Sequence, residues 1–163
     1  MSSNTLAELT DVAMRIKESL EDRDIERFGA LFHPEARINS MGRFYTLRDF
    51  LERLKELIAH LEQPALDILQ IQESHIGEEQ AFVSFLVESG WIDAKTWEER
   101  TERVTMALQL ARGKRGEWLI TGFTLARVPE AVTDWNEGVT HPGAQQPPPR
   151  RTFGLDGLFS FWY

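Results

Sequence analysis

The sequence contains no cysteine, which excludes disulfides, thiolate zinc sites and cysteine nucleophiles. Basic residues are scarce: 18 lysines and arginines stand against 26 aspartates and glutamates, giving a formal net charge of −8. Because such a charge repels phosphate backbones, we expect no nucleic-acid partner. No apolar run approaches the ~20 residues that a membrane-spanning helix requires, so we expect no membrane partner.

Two further absences concern location and metals. The first residues, 1–4, lack the basic and apolar regions of a signal peptide, so we expect a cytoplasmic protein. The four histidines, His33, His60, His75 and His141, show no spacing typical of metal ligands. We therefore expect neither a metal nor a cofactor.

Residues 79–128 predict three long antiparallel strands. Apolar and polar residues alternate there with period two, most clearly from Val104 to Leu110, which is the pattern of half-buried strands. Turn-forming residues at 93–96 and 113–116 separate the three strands. The chain before this block carries helical patterns, so the predicted fold class is α+β.

Three helices are predicted before the sheet. Thr5 and Glu8 form a capping box for a first helix that ends near Glu21. Asp24 can cap a second, shorter helix, and Thr46 can cap a third. The second helix is predicted to carry Ile25, Phe28, Leu31 and Phe32 and to stop at Pro34. Short strands are predicted from Ala36 to Ser40 and from Leu66 to His75.

The composition divides the chain into three parts. Residues 1–135 form the α+β domain, residues 136–152 a proline-rich linker, and residues 153–163 an apolar peptide. We expect this peptide to dock through Phe153, Leu155, Leu158, Phe159, Phe161, Trp162 and Tyr163, since disordered segments are normally poor in aromatics. Its target is left open between another protein, the domain's own pocket and the pocket of a dimer mate. A disordered end is the alternative.

Residues 20–38, with the run Leu31-Phe32-His33-Pro34-Glu35-Ala36, and residues 117–120 resemble the nuclear transport factor 2-like superfamily. This superfamily includes SnoaL-like polyketide cyclases, ketosteroid isomerases and scytalone dehydratase. The resemblance covers roughly residues 5–128. It implies a strongly bent antiparallel sheet packed on three N-terminal helices, a cone-shaped pocket, and frequent dimerisation through the outer sheet face.

The resemblance carries over no catalytic residue. The general-base aspartate of ketosteroid isomerases falls at Ser40, and their second carboxyl group falls near Ala107. Dehydratase chemistry of the scytalone type needs two histidines and an aspartate, yet His33 and His75 have no evident aspartate partner. We therefore expect a non-catalytic module for small-molecule binding or assembly. The alternatives are a SnoaL-like lyase or isomerase with an unrecognised acid/base pair, and a dimerisation unit with a filled pocket.

Several residues are candidates for binding a hydrophobic small molecule. Polar side chains expected to point into the cone are those of Asn39, Tyr45, Thr105 and Gln109. His75 is a further candidate, and Arg103 with Glu88 could bind an anion at the rim. The alternative is that Glu88 and Arg103 form a solvated cross-strand ion pair. Because apolar residues are expected on both sheet faces and helices cover only one, a homodimer is also expected.

Overall fold

A computed structural model describes residues 2–93 and 95–128, without the side chains of residues 2–4. The end of the predicted domain (129–135), the predicted linker (136–152) and the predicted docking peptide (153–163) lie outside the described residues.

Three helices precede or interrupt the sheet: α1 (Ser2–Glu21), α2 (Ile25–Gly29) and α3 (Leu47–Ala59). Both predicted caps of the later helices are confirmed. Asp24 Oδ1 accepts a hydrogen bond from the Arg27 amide at 3.1 Å, and Thr46 Oγ1 accepts one from the Asp49 amide at 3.1 Å. None of the described helices is long and apolar enough to cross a membrane.

Six strands form one sheet: β1 (Phe32–Ser40), β2 (Arg43–Thr46), β3 (Glu62–Ile76), β4 (Gln80–Ile92), β5 (Glu99–Arg112) and β6 (Trp118–Arg127). Their order across the sheet is β2-β1-β6-β5-β4-β3. Neighbouring strands are antiparallel except for β1 and β6, which are parallel. The predicted α+β class and the three-strand block are confirmed.

Several predicted boundaries are wrong. Helix α1 already begins at Ser2, so Thr5 lies inside it and does not form a capping box with Glu8. Strand β1 begins at Phe32 and takes up residues assigned to the second helix. Pro34 lies where the register between β1 and β6 shifts, a place where its missing N–H group breaks no ladder.

Two other strand boundaries differ from the prediction. Strand β2 was not predicted; it follows a two-residue turn in which Met41 and Gly42 have φ angles of 52° and 88°, the conformation that hairpins favour. Strand β3 begins at Glu62 rather than Leu66. Pro64 therefore lies within this strand. It falls in a register shift between β3 and β4.

The sheet has an inner face covered by the helices and an outer face that the described helices leave bare. The inner-face residues of β4, β5 and β6 are almost fully buried: Val83, Phe85, Val87, Val104, Met106, Leu108, Ile120, Phe123 and Leu125. They pack with Ile16, Phe28 and Phe50 of the helices. Burial of each such side chain contributes about 1.5–3 kcal/mol to the stability of the fold. Strand alternation then places the residues between them on the outer face.

Two polar clusters fasten α1 to the sheet. Near its end, Lys17 and Glu21 bond to the backbone of Leu66 in β3. Near its start, Glu8 accepts a 2.9 Å hydrogen bond from Trp118 Nε1, at the start of β6. Arg112 lies 4.0 Å above the same indole ring, so a cation–π contact adds to this second cluster.

Candidate functional site

The inner pocket is a small apolar cavity between the ends of α1 and α3 and the start of β3. Its volume is about 60 Å³, far below the roughly 300–1,000 Å³ of drug-sized ligand sites. The lining residues are Ile16, Leu20, Glu21, Phe28, Phe50, Leu54, Leu57, Ile58, Leu61, Pro64, Ala65, Leu66, Val87, Ser89, Gly90, Met106, Phe123 and Leu125.

Aromatic side chains fill much of the space that an open cone would leave. The ring centroids of Phe28, Phe50 and Phe123 lie 6.0–6.3 Å from one another, in tilted and edge-on arrangements. All three are almost completely buried. The pocket is therefore small because these side chains fill most of the space between the helices and the sheet.

Ser89 is a buried polar residue in the lining of the inner pocket. It is only 4% exposed, and its Oγ has no hydrogen-bond partner within the described part of the chain. Leaving a buried hydroxyl unpaired costs about 1–3 kcal/mol. Its cross-strand neighbours are Leu66 in β3 and Glu102 in β5.

Glu21 is the ionisable residue in the pocket lining, and its contacts give it a structural role. Its Oε2 accepts hydrogen bonds from Lys17 Nζ at 2.7 Å and from the Leu66 amide at 2.9 Å. Burial alone would lower the pKa of Lys17, but the hydrogen bonds and charges of Glu21 and Asp67 raise it above its ordinary value. The carboxylate is thus held by α1 and β3 rather than directed at a ligand.

Glu102 and Arg127 form a rim pair beside the inner pocket. The Glu102 side chain is 15% exposed, and its Oε1 lies 3.6 Å from Arg127 Nε. Because Glu102 is the cross-strand partner of Ser89, it shares the inner face with the pocket wall. Glu102 was not among the site residues predicted from the sequence. Its spacing of two and four residues from Val104 and Met106 was the signal that places it inside.

The polar residues expected to point into the cone do not line the inner pocket. Asn39, Thr105 and Gln109 lie on the outer face, because their strand neighbours face the core. For these three the expected orientation is wrong. Tyr45 is on the inner side of β2 and lines a separate groove beside that strand. Ligand binding by any of the four stays a prediction.

His75 and Arg103 also lie on the outer face. His75 is exposed, and its Nε2 lies 2.6 Å from Glu73 Oε2. Arg103 Nε donates to Glu88 Oε2 at 3.3 Å, which is the solvated cross-strand ion pair weighed as the alternative. His75 and Gln109 share an open groove at one end of this face. The predicted docking residues between Phe153 and Tyr163 lie outside the described residues.

The positions aligned with isomerase catalytic groups carry no carboxylate. Ser40 is buried on the inner face. Ala107 faces outward, and its inward-facing neighbours, Met106 and Leu108, are apolar. Among residues 2–93 and 95–128, no group of three or more His, Asp or Glu side chains could hold a metal ion.

No protein-family model and no curated protein matches the chain. Solved structures do match. A nuclear transport factor 2 (NTF2-like) superfamily protein from Salmonella enterica is 12% identical, with a TM-score of 0.72, covering 91% of this chain and 100% of that one. A proposed NTF2-like dehydratase from Streptomyces avermitilis is also 12% identical, with a TM-score of 0.69, covering 79% of this chain and 99% of that one.

A ketosteroid isomerase-like protein from Erwinia carotovora atroseptica is 15% identical, with a TM-score of 0.62, covering 76% of this chain and 96% of that one. These likenesses confirm the resemblance inferred from the sequence at the level of the fold: the chain has the NTF2-like fold. At such low identity they do not extend to chemistry, because members of one fold often differ in activity.

Proposed function

We propose that this chain is a non-catalytic binding and assembly module built on the NTF2-like fold. The observation that supports this proposal most strongly is the composition of the inner pocket. Its wall is apolar apart from Ser89 and Glu21, and the carboxylate of Glu21 is already bound by α1 and β3. General acid–base catalysis needs an ionisable group within reach of the reacting atoms. A pocket of about 60 Å³ is suited to an apolar group the size of a side chain.

A lyase or isomerase acting on a hydrophobic small molecule is the second candidate. The observation that favours it is Glu102, a largely buried carboxylate opposite Ser89 at the pocket rim. Against it stands Arg127, which lies 3.6 Å away. The carboxylate of Glu102 therefore already has a charged partner within the fold.

Deuterium incorporation from heavy water into a panel of hydrophobic ketones separates the two candidates without knowledge of a natural substrate. We expect the full-length protein to give the rate of buffer alone, with no change in Glu102→Gln. An acceleration of 100-fold or more that disappears in Glu102→Gln would establish acid–base chemistry and overturn the proposal. The matched control is Glu99→Gln, because Glu99 is an exposed residue of the same strand.

Assembly is proposed to occur through the outer face, which would pair with a second copy of the chain. Phe82 and Leu86 are half-buried on this face, beside the small residues Ser84 and Ala107. Light scattering at high micromolar concentration should give the mass of a dimer. Leu86→Glu should give a monomer with an unchanged circular dichroism spectrum, whereas Lys114→Glu, in an exposed turn, should stay dimeric. A monomeric parent protein would refute this part of the proposal.

A further inference from the structure

The centre of the outer face is a patch without charged residues. It spans three rows across β6, β5 and β4, and in each row the strand pairing aligns one residue from each strand. The nine residues of this central patch are Gly122, Gln109 and Phe82, then Thr124, Ala107 and Ser84, then Ala126, Thr105 and Leu86. In a chain of which 27% is charged, this is the composition of an interface core, where charged residues are depleted.

Side-chain size differs between the two flanking strands of the central patch. Along β4 the outward residues are large, small and large, whereas along β6 they are small at both ends. In the same rows, Phe82, Ser84 and Leu86 of β4 correspond to Gly122, Thr124 and Ala126 of β6. The Gln109 side chain lies against Gly122, where a Cβ would be only 2.6 Å from its Oε1. The face is therefore raised at two points over β4 and low at the matching points over β6.

Opposite charges flank the central patch. On the β1 side, Arg37 is the cross-strand partner of Gly122. Its guanidinium group is exposed and makes no hydrogen bond or ion pair with any residue of 2–93 and 95–128. On the β3 side, Glu73 is the cross-strand partner of Ser84, and its exposed carboxylate lies 2.6 Å from His75 Nε2. The patch thus has an unpaired cation at one side and a carboxylate at the other.

Two identical faces pair about a two-fold axis that lies in the plane of the interface. The strand order β1-β6-β5-β4-β3 places β5 in the middle, so an axis along β5 lays β4 of one copy over β6 of the other. Phe82 and Leu86 then lie over Gly122 and Ala126 of the second copy. An axis across the strands would instead lay β4 over β4, which opposes Phe82 with Leu86 and leaves a gap over Gly122. Aligned packing of two sheets about 10 Å apart is a standard arrangement.

We propose that two copies of the chain pair through the central patch about a two-fold axis along β5. The same axis lays β1 over β3, so Arg37 of each copy lies close to Glu73 of the other. Size and charge therefore favour the same orientation, and complementary charges at a rim fix the register of an interface. This inference rests on the proposed assembly through the outer face and adds which strands and residues meet there.

Charge reversal at the two rim residues tests this orientation in the full-length protein. Arg37→Glu alone sets carboxylates against each other at both symmetric contacts, and Glu73→Arg alone does the same with guanidinium groups. We expect each variant to raise the dimer dissociation constant about tenfold at low salt, because exposed pairs are individually weak. A mixture of the two variants restores opposite charges at both contacts. Native mass spectrometry of the mixture should therefore show a heterodimer well above the statistical proportion.

The matched control mixes Arg37→Glu with Glu99→Arg. Glu99 is an exposed residue of β5 outside the central patch, so this variant has the charge change of Glu73→Arg without the contact, and we expect no excess of heterodimer. Equal heterodimer formation in both mixtures would overturn the inference, since net charge alone would explain it. Single variants that dimerise like the parent protein would overturn it as well. In either case, a dimeric parent that Leu86→Glu dissociates would leave the proposed assembly standing.

Cross-linking in the cysteine-free chain gives a second readout that does not depend on charge. Ser84 and Thr124 flank Ala107 in one row of the central patch. Across an axis along β5, Ser84 of one copy faces Thr124 of the other. A short bismaleimide should therefore link Ser84→Cys chains to Thr124→Cys chains several-fold faster than it links either variant to itself. Equal rates, or faster linkage of Ser84→Cys to itself, would contradict the inference, because β4 would then not lie over β6.

Discussion

The contact between Glu21 and Leu66 offers the sharpest test of how α1 is held on the sheet. Glu21 Oε2 accepts hydrogen bonds from Lys17 Nζ at 2.7 Å and from the Leu66 amide at 2.9 Å. Lys17 Nζ also donates to the Leu66 carbonyl at 2.7 Å. The side chains of Lys17 and Glu21 are 23% and 29% exposed, so water screens these contacts only in part.

Glu21→Ala removes both hydrogen bonds and leaves the amide of the buried Leu66 without its acceptor. Charge-assisted hydrogen bonds contribute roughly 1.5–3 kcal/mol each when buried, and partial exposure reduces this. We expect the free energy of unfolding to fall by about 2–3 kcal/mol. Glu21→Gln retains an acceptor but loses the charge, so its loss should be smaller, about 1 kcal/mol.

Equilibrium unfolding in urea, followed by tryptophan fluorescence, measures these differences. The control is Glu18→Ala on the same helix, because Glu18 makes only an exposed 3.7 Å ion pair with Arg27. Its effect should stay within about 0.5 kcal/mol. If Glu21→Ala destabilised the protein no more than Glu18→Ala, this account of α1 attachment would be refuted.

The raised pKa of Lys17 adds a pH signature to the same experiment. Because the folded pKa lies above the ordinary value of 10.5, the protonated amine stabilises the fold fully below that value. The stabilisation is lost as the pH rises through the folded pKa. Lys17→Met should therefore lower stability at neutral pH and reduce the decline seen above pH 10.5. An unchanged alkaline decline in the variant would contradict this assignment.

Three further predictions concern the histidines, Asp93 and the end of the chain. His33→Ala and His75→Ala should leave the rate of deuterium incorporation within a few-fold of the parent value, since neither histidine lines the inner pocket; an activity of the parent protein that falls 100-fold in a stable variant would argue for a catalytic role. Two backbone amides of the following turn lower the pKa of Asp93. Its contribution is therefore present above pH 3.8 and lost as the pH falls through its folded pKa. Asp93→Asn should reduce the acid decline in melting temperature, and an identical decline would refute the assignment. Truncation after His141 should preserve the circular dichroism spectrum and the melting transition, because the last described strand ends at Arg127; a lost transition would show that the removed part belongs to the core.

Two helix starts that depend on residues close in the sequence were predicted correctly. Asp24 and Thr46 cap their helices as expected, because a capping side chain bonds to an amide only a few residues away. Strand β1 was misjudged at its start for the opposite reason. Phe32 fits the helical spacing of Ile25 and Phe28, and only its pairing with Ile120 of β6 makes it a strand residue.

The candidate site residues of β5 were assigned to the wrong face of the sheet, because side chains alternate between the two faces along a strand. Thr105 and Gln109 were expected inside because they are polar, although Met106 and Leu108 are the residues that face the core. A shift of one residue moves every side chain to the other face. The same period would have placed Ser89 inside, two residues after Val87. The pocket volume could not be read from the sequence, because it depends on how side chains from distant elements pack.

Native mass spectrometry of the freshly purified full-length protein reports the oligomeric mass and any retained ligand in one spectrum. A non-catalytic module that pairs through its outer face, with an inner pocket of about 60 Å³, predicts the mass of two chains with no retained drug-sized molecule. The claim would be contradicted by a drug-sized molecule that remains bound under gentle ionisation and is released when Ser89→Leu fills the pocket beside it.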